Sequence, residues 1–358
     1  MYFAKVAEKA MGSVLASDES RGSEWISQVR VNRVRGVSLN LELRPAKVNI
    51  IVGCNGSYKT SLLEALAVAL LTSDVDADLS KYPPLLTLLS TMRMDPAWAL
   101  NLSELDMDVS VDGVDVRSVG RDEILKVPSP AQSPVMTFGF KAYYNGEEFS
   151  SLRIDVTLPP GQPPAVSVTK NLAWDRVMKY FARRRPPRSY VGLGVPNPVG
   201  QDFVKAVSAV TDYARARKLL EAFNIDFLGV KYDSLGNPYL EVRLGSSTLH
   251  AQYAGGGFVT LALMALAATK DVVLFDTPEQ HMHPSLLSDA VDIVAASASQ
   301  WFIATQSVEL VREVLRRDEL VKEAQVVWLS RRPSFRVMDG ERAARELFEL
   351  DWDLRGPC

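Results

Sequence analysis

The segment Gly53-Cys54-Asn55-Gly56-Ser57-Tyr58-Lys59-Thr60-Ser61 has the composition of a loop that cradles an anion. Consecutive backbone N–H groups feeding a helix N-terminus favour an anion through hydrogen bonding and through the helix dipole. Polyphosphate suits that geometry, and two residues supply what a metal nucleotide further needs: Lys59 as a point charge toward the outer phosphates, and the Thr60 hydroxyl as a Mg²⁺ ligand. A second group stands far along the chain, where Val272-Val273-Leu274-Phe275-Asp276 delivers a carboxylate at the end of an apolar run. Open α/β sheets bind ligands at that edge, so Asp276 is placed to hold Mg²⁺, directly or through water. Two plainer readings compete: the glycine loop as an ordinary strand-to-helix turn, and Asp276 as a helix N-cap. Loop and aspartate together favour the metal-nucleotide reading.

Such a site needs a buried strand before the loop and a helix after it. The apolar run 48–52 supplies the strand, and Leu62, Leu63, Leu66, Leu70 and Leu71 recur at helical spacing. Upstream, Val29, Val31 and Val34, then Val37, Leu39, Leu41 and Leu43, alternate like two half-exposed strands. Residues 1–24 read as a short helix and a polar lead-in. Prolines interrupt the middle repeatedly, but 135–144 and 152–158 alternate like strands about an Asn145-Gly146 hairpin turn. This predicts a β-rich insertion with some helix. Further on, the pattern predicts a helix over 201–224 and a hairpin of 226–232 with 239–244. A buried helix over 259–268 follows, then short strands at 272–275 and 302–305 with a helix over 284–296 between them. An amphipathic helix over 341–350 ends the pattern. Strands alternating with helices after residue 225 favour a parallel sheet covered by helices.

Composition narrows the classes. The 358 residues carry 40 Lys+Arg against 43 Asp+Glu, a net charge of −3, and 47% are hydrophobic. That length fits about two domains, or one large α/β domain with an insertion. The near-neutral balance argues against a surface built for bulk nucleic-acid or membrane binding. A local basic run, Arg183-Arg184-Arg185-Pro186-Pro187-Arg188, is either a solvated turn or a contact for DNA, RNA or an acidic partner face. No apolar run reaches the roughly 18 residues of a membrane span, and the first residues lack a secretory pattern. The two cysteines, Cys54 and Cys358, have no metal-site spacing and suggest no disulfide framework. They predict a reducing, cytoplasmic setting, with Cys54 a tolerated small residue and Cys358 an ordinary thiol.

The order of motifs resembles the ABC-type AAA ATPases related to RecF, SMC and OLD proteins. The resemblance is carried by Val31-Asn32-Arg33-Val34-Arg35-Gly36 leading to the glycine loop, Ala254-Gly255-Gly256-Gly257, Asp276-Thr277-Pro278-Glu279-Gln280-His281-Met282-His283-Pro284, and Ile303-Ala304-Thr305-Gln306-Ser307. It covers about residues 25–71 and 225–350. The fold it implies is a P-loop α/β head with N-terminal antiparallel strands and a β-rich, helical insertion. The head would be divided into 1–24 lead-in, 25–75 N-terminal head, 76–224 insertion and 225–358 C-terminal head. It further implies ATP and Mg²⁺ as ligands. Asn55, Gly56, Ser57, Tyr58, Lys59, Thr60 and Ser61 would form the Walker A loop, and Asp276 would be the Walker B aspartate that shares Mg²⁺ with Thr60. Gly255 and Gly256 would belong to a signature loop acting on a partner's nucleotide, and Arg35 would lie near the phosphates. Gln306 would stand at the switch position. Partners would be a second copy or a head-to-head hetero-partner, with DNA or an effector protein downstream.

Departures from the family pattern fall on catalysis. Tyr58 replaces a Walker A glycine, so its side chain must point away or displace the loop. Thr277 replaces the glutamate that polarises water, and a threonine is no base near neutral pH. Gln306 replaces a histidine and Ala254 a serine. The sequence therefore predicts an ATP-binding head with slow or absent hydrolysis. An active ATPase using Gln306 or Glu279 and a nucleotide-independent scaffold are the alternatives. Glu279, His281 and His283 could form a separate metal cluster, but the resemblance makes them part of a His-Pro turn. No second acidic cluster supports a nuclease, and no long heptad pattern supports a coiled coil.

Overall fold

The computed structural model describes residues 25–74, 106–119, 135–157, 165–181, 189–192, 221, 225–232, 234, 238–244, 246–250, 253 and 255–356. The expected lead-in over 1–24, nearly all of the helix expected over 201–224, the Arg183 to Arg188 run and Ala254 lie outside them.

Strands β1 (Val29–Val34) and β2 (Val37–Leu43) form an antiparallel hairpin, joined through Arg35 and Gly36, both in the left-handed conformation that two-residue hairpin turns require. One face of each strand is buried and the other is wet. β3 (Val48–Val52) is buried throughout and leads through the glycine loop into α1 (Lys59–Ser73). Strands β4 (Asp108–Val111), β5 (Val114–Ser118), β6 (Val135–Tyr144), β7 (Glu147–Thr157) and β8 (Ala165–Leu172) then continue the sheet begun by the first hairpin. The result is seven strands in the order β2-β1-β4-β5-β6-β7-β8, antiparallel throughout. Asn145 and Gly146 turn the β6–β7 hairpin with positive φ, as their types predict.

A short helix, α2 (Trp174–Phe181), and strand β9 (Ser189–Gly192) follow. Strands β10 (Ile225–Tyr232), β11 (Pro238–Leu244) and β12 (Ser247–His250) make a small antiparallel sheet. Then α3 (Gly256–Ala267), β13 (Val272–Asp276), α4 (Pro284–Ala296), β14 (Gln300–Ala304), α5 (Val308–Leu315), α6 (Asp318–Val321), β15 (Ala324–Leu329), β16 (Phe335–Asp339) and α7 (Gly340–Phe348) complete the described chain.

The central sheet runs β16-β15-β3-β14-β13-β9, parallel except for the β15–β16 hairpin. Its period-2 alternation sends Ile50, Phe275, Ile303 and Val326 into one core, with α3, α4, α5 and α7. Ile51, Leu274, Phe302 and Val327 point the other way, into a second core shared with α1 and the seven-stranded sheet. Helix α1 thus lies between two sheets, and every residue from Leu62 to Ser73 is buried. That is why its sequence is apolar nearly all round. At its C-terminal end Ser150 donates to Thr72 O at 2.6 Å, and Lys170 Nζ donates to Leu71 O at 2.7 Å and to Asp74 O. A cation there complements the helix dipole.

Buried amides pin the opposite end of the parallel strands. Asn49 Nδ2 donates to Trp301 O and Ala46 O, both at 2.9 Å, and Gln325 Nε2 donates to Asn49 Oδ1 at 2.5 Å. Gln300 bridges Ile26 and Ala46 through its own amide.

One charge enters the sandwich. Glu64 on α1 is 1% exposed, and the Arg35 guanidinium forks onto it with Nε–Oε2 at 2.7 Å and Nη2–Oε1 at 2.5 Å. Removing one member of a buried ion pair leaves a desolvated charge behind. Arg35→Ala is therefore expected to lower unfolding free energy by about 3 kcal/mol, and Arg35→Ala/Glu64→Gln to recover part of that loss. Urea denaturation of the two variants checks both.

Candidate functional site

The C-terminal ends of β3, β14 and β13 lie side by side, so the loops that leave them converge. Backbone bonds stitch them together: Thr305 N donates to Ile51 O at 3.0 Å and Thr277 N to Ala304 O at 2.7 Å. Gly53 leaves β3 with φ 148°, and a Cβ there would lie 2.2 Å from Leu329 O and 2.5 Å from Ser57 Oγ. Only glycine fits between the loop and β15.

Tyr58 takes the left-handed conformation, φ 64° and ψ 15°, that the loop requires at this position. Its ring packs against the core cluster beneath α1, so the side chain leaves the cradle and the backbone keeps its path. Gly56, with φ 77°, has open space where a Cβ would stand. No side chain caps α1 and no acidic residue lies in its first turn, so its first N–H groups remain available to an anion.

Lys59 is 6% exposed, and its Nζ donates to Gly53 O and Cys54 O, each at 2.8 Å. Burial pushes its pKa below the ordinary lysine value, against the opposing pull of Asp276 and Glu279. Thr60 Oγ1 donates to Asp276 Oδ2 at 2.8 Å. This joins the first helical turn after the loop to the end of β13 and sets a hydroxyl and a carboxylate together, the donor pair that suits Mg²⁺ bound to a phosphate chain. Ser57 is buried beside Lys59, while Asn55 and Gly56 are exposed at the rim.

After Asp276 the chain bends sharply. Thr277 is left-handed at φ 46° and ψ 53°, and Pro278–His281 form one 3₁₀ turn. The turn carries Glu279 back toward β14, where Oε1 accepts Thr305 Oγ1 at 2.7 Å and Gln306 N at 3.0 Å. Its Oε2 is buried and has no hydrogen-bond partner among the described residues. Glu279 thus ties the turn after Asp276 to the loop after β14. His283 caps α4, its Nδ1 accepting Ser285 N at 3.3 Å. Among the described residues no three His, Cys, Asp or Glu side chains gather as a separate metal site.

Arg35 is held by Glu64 of α1. Ser61 is part of the first turn of α1. Gly255, left-handed and exposed, and Gly256 open the separate helix α3, whose first turn also lacks an acidic residue. Gln306 is exposed at the mouth.

Two arginines not singled out by the sequence rim the loop. Arg331 Nε donates to Asn55 O at 3.0 Å, and Arg355 Nη1 reaches Gln306 O at 3.5 Å. For Arg331 the signal was its place just after an apolar strand, because β15 runs parallel to β3 and ends at the same edge. Cys54 requires a correction. It was expected as a tolerated small residue with no disulfide, but it is disulfide-bonded. The segment 351–356 packs against the glycine loop and brings sulfur chemistry within reach there.

Sheet order, glycine loop and the Thr60–Asp276 pair together define a P-loop α/β fold. No protein-family model matches the chain, and no curated protein matches its sequence. Among solved structures it is similar to an SMC head bound to the C-winged helix domain of ScpA, with 12% identity over 90% of this chain and 99% of that one, at a TM-score of 0.47. It is also similar to the SMC head domain from Thermotoga maritima, with 14% identity over 88% and 98% and a TM-score of 0.38. The recombination mediator RecF of the RecFOR pathway matches at 10% identity over 88% and 98%, with a TM-score of 0.38. Among the described residues no helix is long and apolar enough to cross a membrane.

A threonine in the left-handed region costs about 1–3 kcal/mol. Thr277→Gly is expected to raise unfolding free energy by about 1 kcal/mol, since relief of that strain outweighs glycine's chain entropy. Equilibrium urea unfolding measures it.

Proposed function

We propose that the chain is an ATP-binding head of the ABC type that takes Mg-ATP at the glycine loop and closes against a second head, with slow or absent hydrolysis. The observation that carries this reading is the Thr60–Asp276 contact of 2.8 Å beside buried Lys59, at the uncapped start of α1. A bound Mg²⁺ would neutralise phosphate charge and polarise the outer phosphoryl group. In this reading Lys59 leaves the carbonyls of Gly53 and Cys54 for the outer phosphates, and Thr60 and Asp276 hold the metal. The loop N–H groups, from Asn55 to Ser61, orient the phosphate chain. The start of α3, with Gly255 exposed and Gly256 half-buried, would meet the nucleotide of a second copy or a hetero-partner. Closure is then the output, passed to an effector protein or to DNA. Slow hydrolysis follows from Thr277, which stands next to the metal aspartate and supplies no base.

A second reading has one specific observation behind it. Glu279 lies beside the loop after β14 with a buried oxygen that makes no hydrogen bond among the described residues. A carboxylate so placed could accept a proton from an attacking water, which makes the head an active ATPase.

Calorimetry with Mg-ATP, paired with phosphate release, separates the readings. Lys59→Ala removes a charge-assisted contact and is expected to weaken binding about 10- to 100-fold, as is chelation of Mg²⁺. Untouched assembly in Lys59→Ala together with no Mg-ATP binding by the wild-type protein would leave only a scaffold. Thr277→Glu is expected to raise phosphate release by about 10²-fold if the missing base limits turnover. Should the wild-type protein turn over and Glu279→Gln abolish turnover while still binding Mg-ATP, the second reading replaces the first.

A further inference from the structure

Cys54 lies inside the glycine loop, and its carbonyl holds Lys59 Nζ at 2.8 Å. It is disulfide-bonded, and the sequence contains one other cysteine, Cys358. Two positions before Cys358, the segment 351–356 is already docked on the loop. Cys54 Sγ lies 4.0 Å from both Arg355 O and Gly356 O. The docking has its own anchors. Leu354 is buried in the helix-side core, and Trp328 Nε1 donates to Arg355 O at 2.8 Å. Gly356 has φ 76°, and a Cβ there would lie 2.4 Å from the Trp328 indole nitrogen. Arg355 forks onto Asp353 at 2.9 and 2.6 Å and extends its remaining nitrogen toward Gln306 O. The segment therefore spans from the glycine loop to the loop after β14, across the mouth through which a nucleotide would enter.

We propose that Cys54 pairs with Cys358 in a disulfide that holds the docked residues 351–356 across the glycine loop, and that its reduction frees the loop for Mg-ATP. The proposal rests on the nucleotide-binding reading for its consequence and on the strap's own contacts for its existence. A dithiol reductant opens the bond in two exchanges. One thiolate of the reagent attacks a sulfur of the pair, and the first cysteine leaves as a thiolate and takes a proton. The second thiol of the reagent then displaces the other cysteine. The reagent ends as a cyclic disulfide, and the protein gains two electrons and two protons. While the bond is intact, Cys54 is fixed, its carbonyl keeps Lys59 folded back, and Gln306 stays under Arg355.

The test uses the full chain purified without reductant, the same sample treated with dithiothreitol, and Cys358→Ser. Peptide mass mapping is expected to show a Cys54–Cys358 link in the first sample only. Calorimetry is expected to show the reduced protein and Cys358→Ser binding Mg-ATP alike, about fivefold or more tighter than the oxidised protein, a range typical of coupled sites. Hydrogen exchange over 53–60 and 351–356 is expected to accelerate on reduction. A Cys54 link between two chains, or equal affinity in all three samples, overturns the proposal. If no sample binds Mg-ATP, the nucleotide reading fails and exchange alone decides the strap: acceleration in both segments sustains it, and unchanged exchange overturns it.

Discussion

Burial of α1 on all sides is the constraint on which the rest depends. A helix held between a parallel sheet and an antiparallel one cannot rotate or slide without exposing leucines from Leu62 to Leu71. Its N-terminus is therefore fixed at the crest of the parallel strands, where β3, β14 and β13 end together. The Thr60, Asp276 and Glu279 side chains are arranged around that fixed point. The Thr60 hydroxyl comes from the helix, the Asp276 carboxylate from two strands away, and Glu279 from a turn folded back over the strand between them. The same confinement explains Glu64 and Arg35: once a carboxylate lies inside the sandwich, a cation must reach it, and Arg35 of the hairpin turn supplies one.

The residues around Asp276 show how one backbone choice distributes roles. A left-handed Thr277 followed by proline turns the chain within a few residues, which takes position 277 out of line with the strand and brings position 279 back in. The carboxylate therefore reaches the site by the turn and not by direct succession. It also cross-links two loops, so the turn after Asp276 and the exit of β14 are mechanically one unit.

Local features of the chain were readable from its residues. The buried strand, glycine loop and helix follow from apolar runs and glycine placement, and the Asn145-Gly146 hairpin, the 226–244 hairpin and the strand ending at Asp276 follow from the same signals. What stayed hidden depends on pairing between distant residues. Nothing in the alternation of 29–43 says that strands beginning at Asp108 will extend the same sheet. Nor does the sequence near Arg35 announce Glu64: the resemblance sets Arg35 near phosphates, and its partner stands 29 positions along the chain. Cys54 was misread for a related reason. Spacing rules address cysteines near one another in sequence, whereas here the folded chain lays residues 355 and 356 against position 54.

The buried amides of Asn49, Gln300 and Gln325 sit at the end of the parallel strands remote from the chemistry. In an all-apolar strand, sliding by one residue exchanges one oily side chain for another and is weakly resisted; with an amide in the row, the same slip drives a polar group into hydrocarbon and strips Trp301 O of its donor. These side chains therefore act as a ruler. By forbidding slippage at the base of β3, β14 and β15, they decide which residues stand level at the summit.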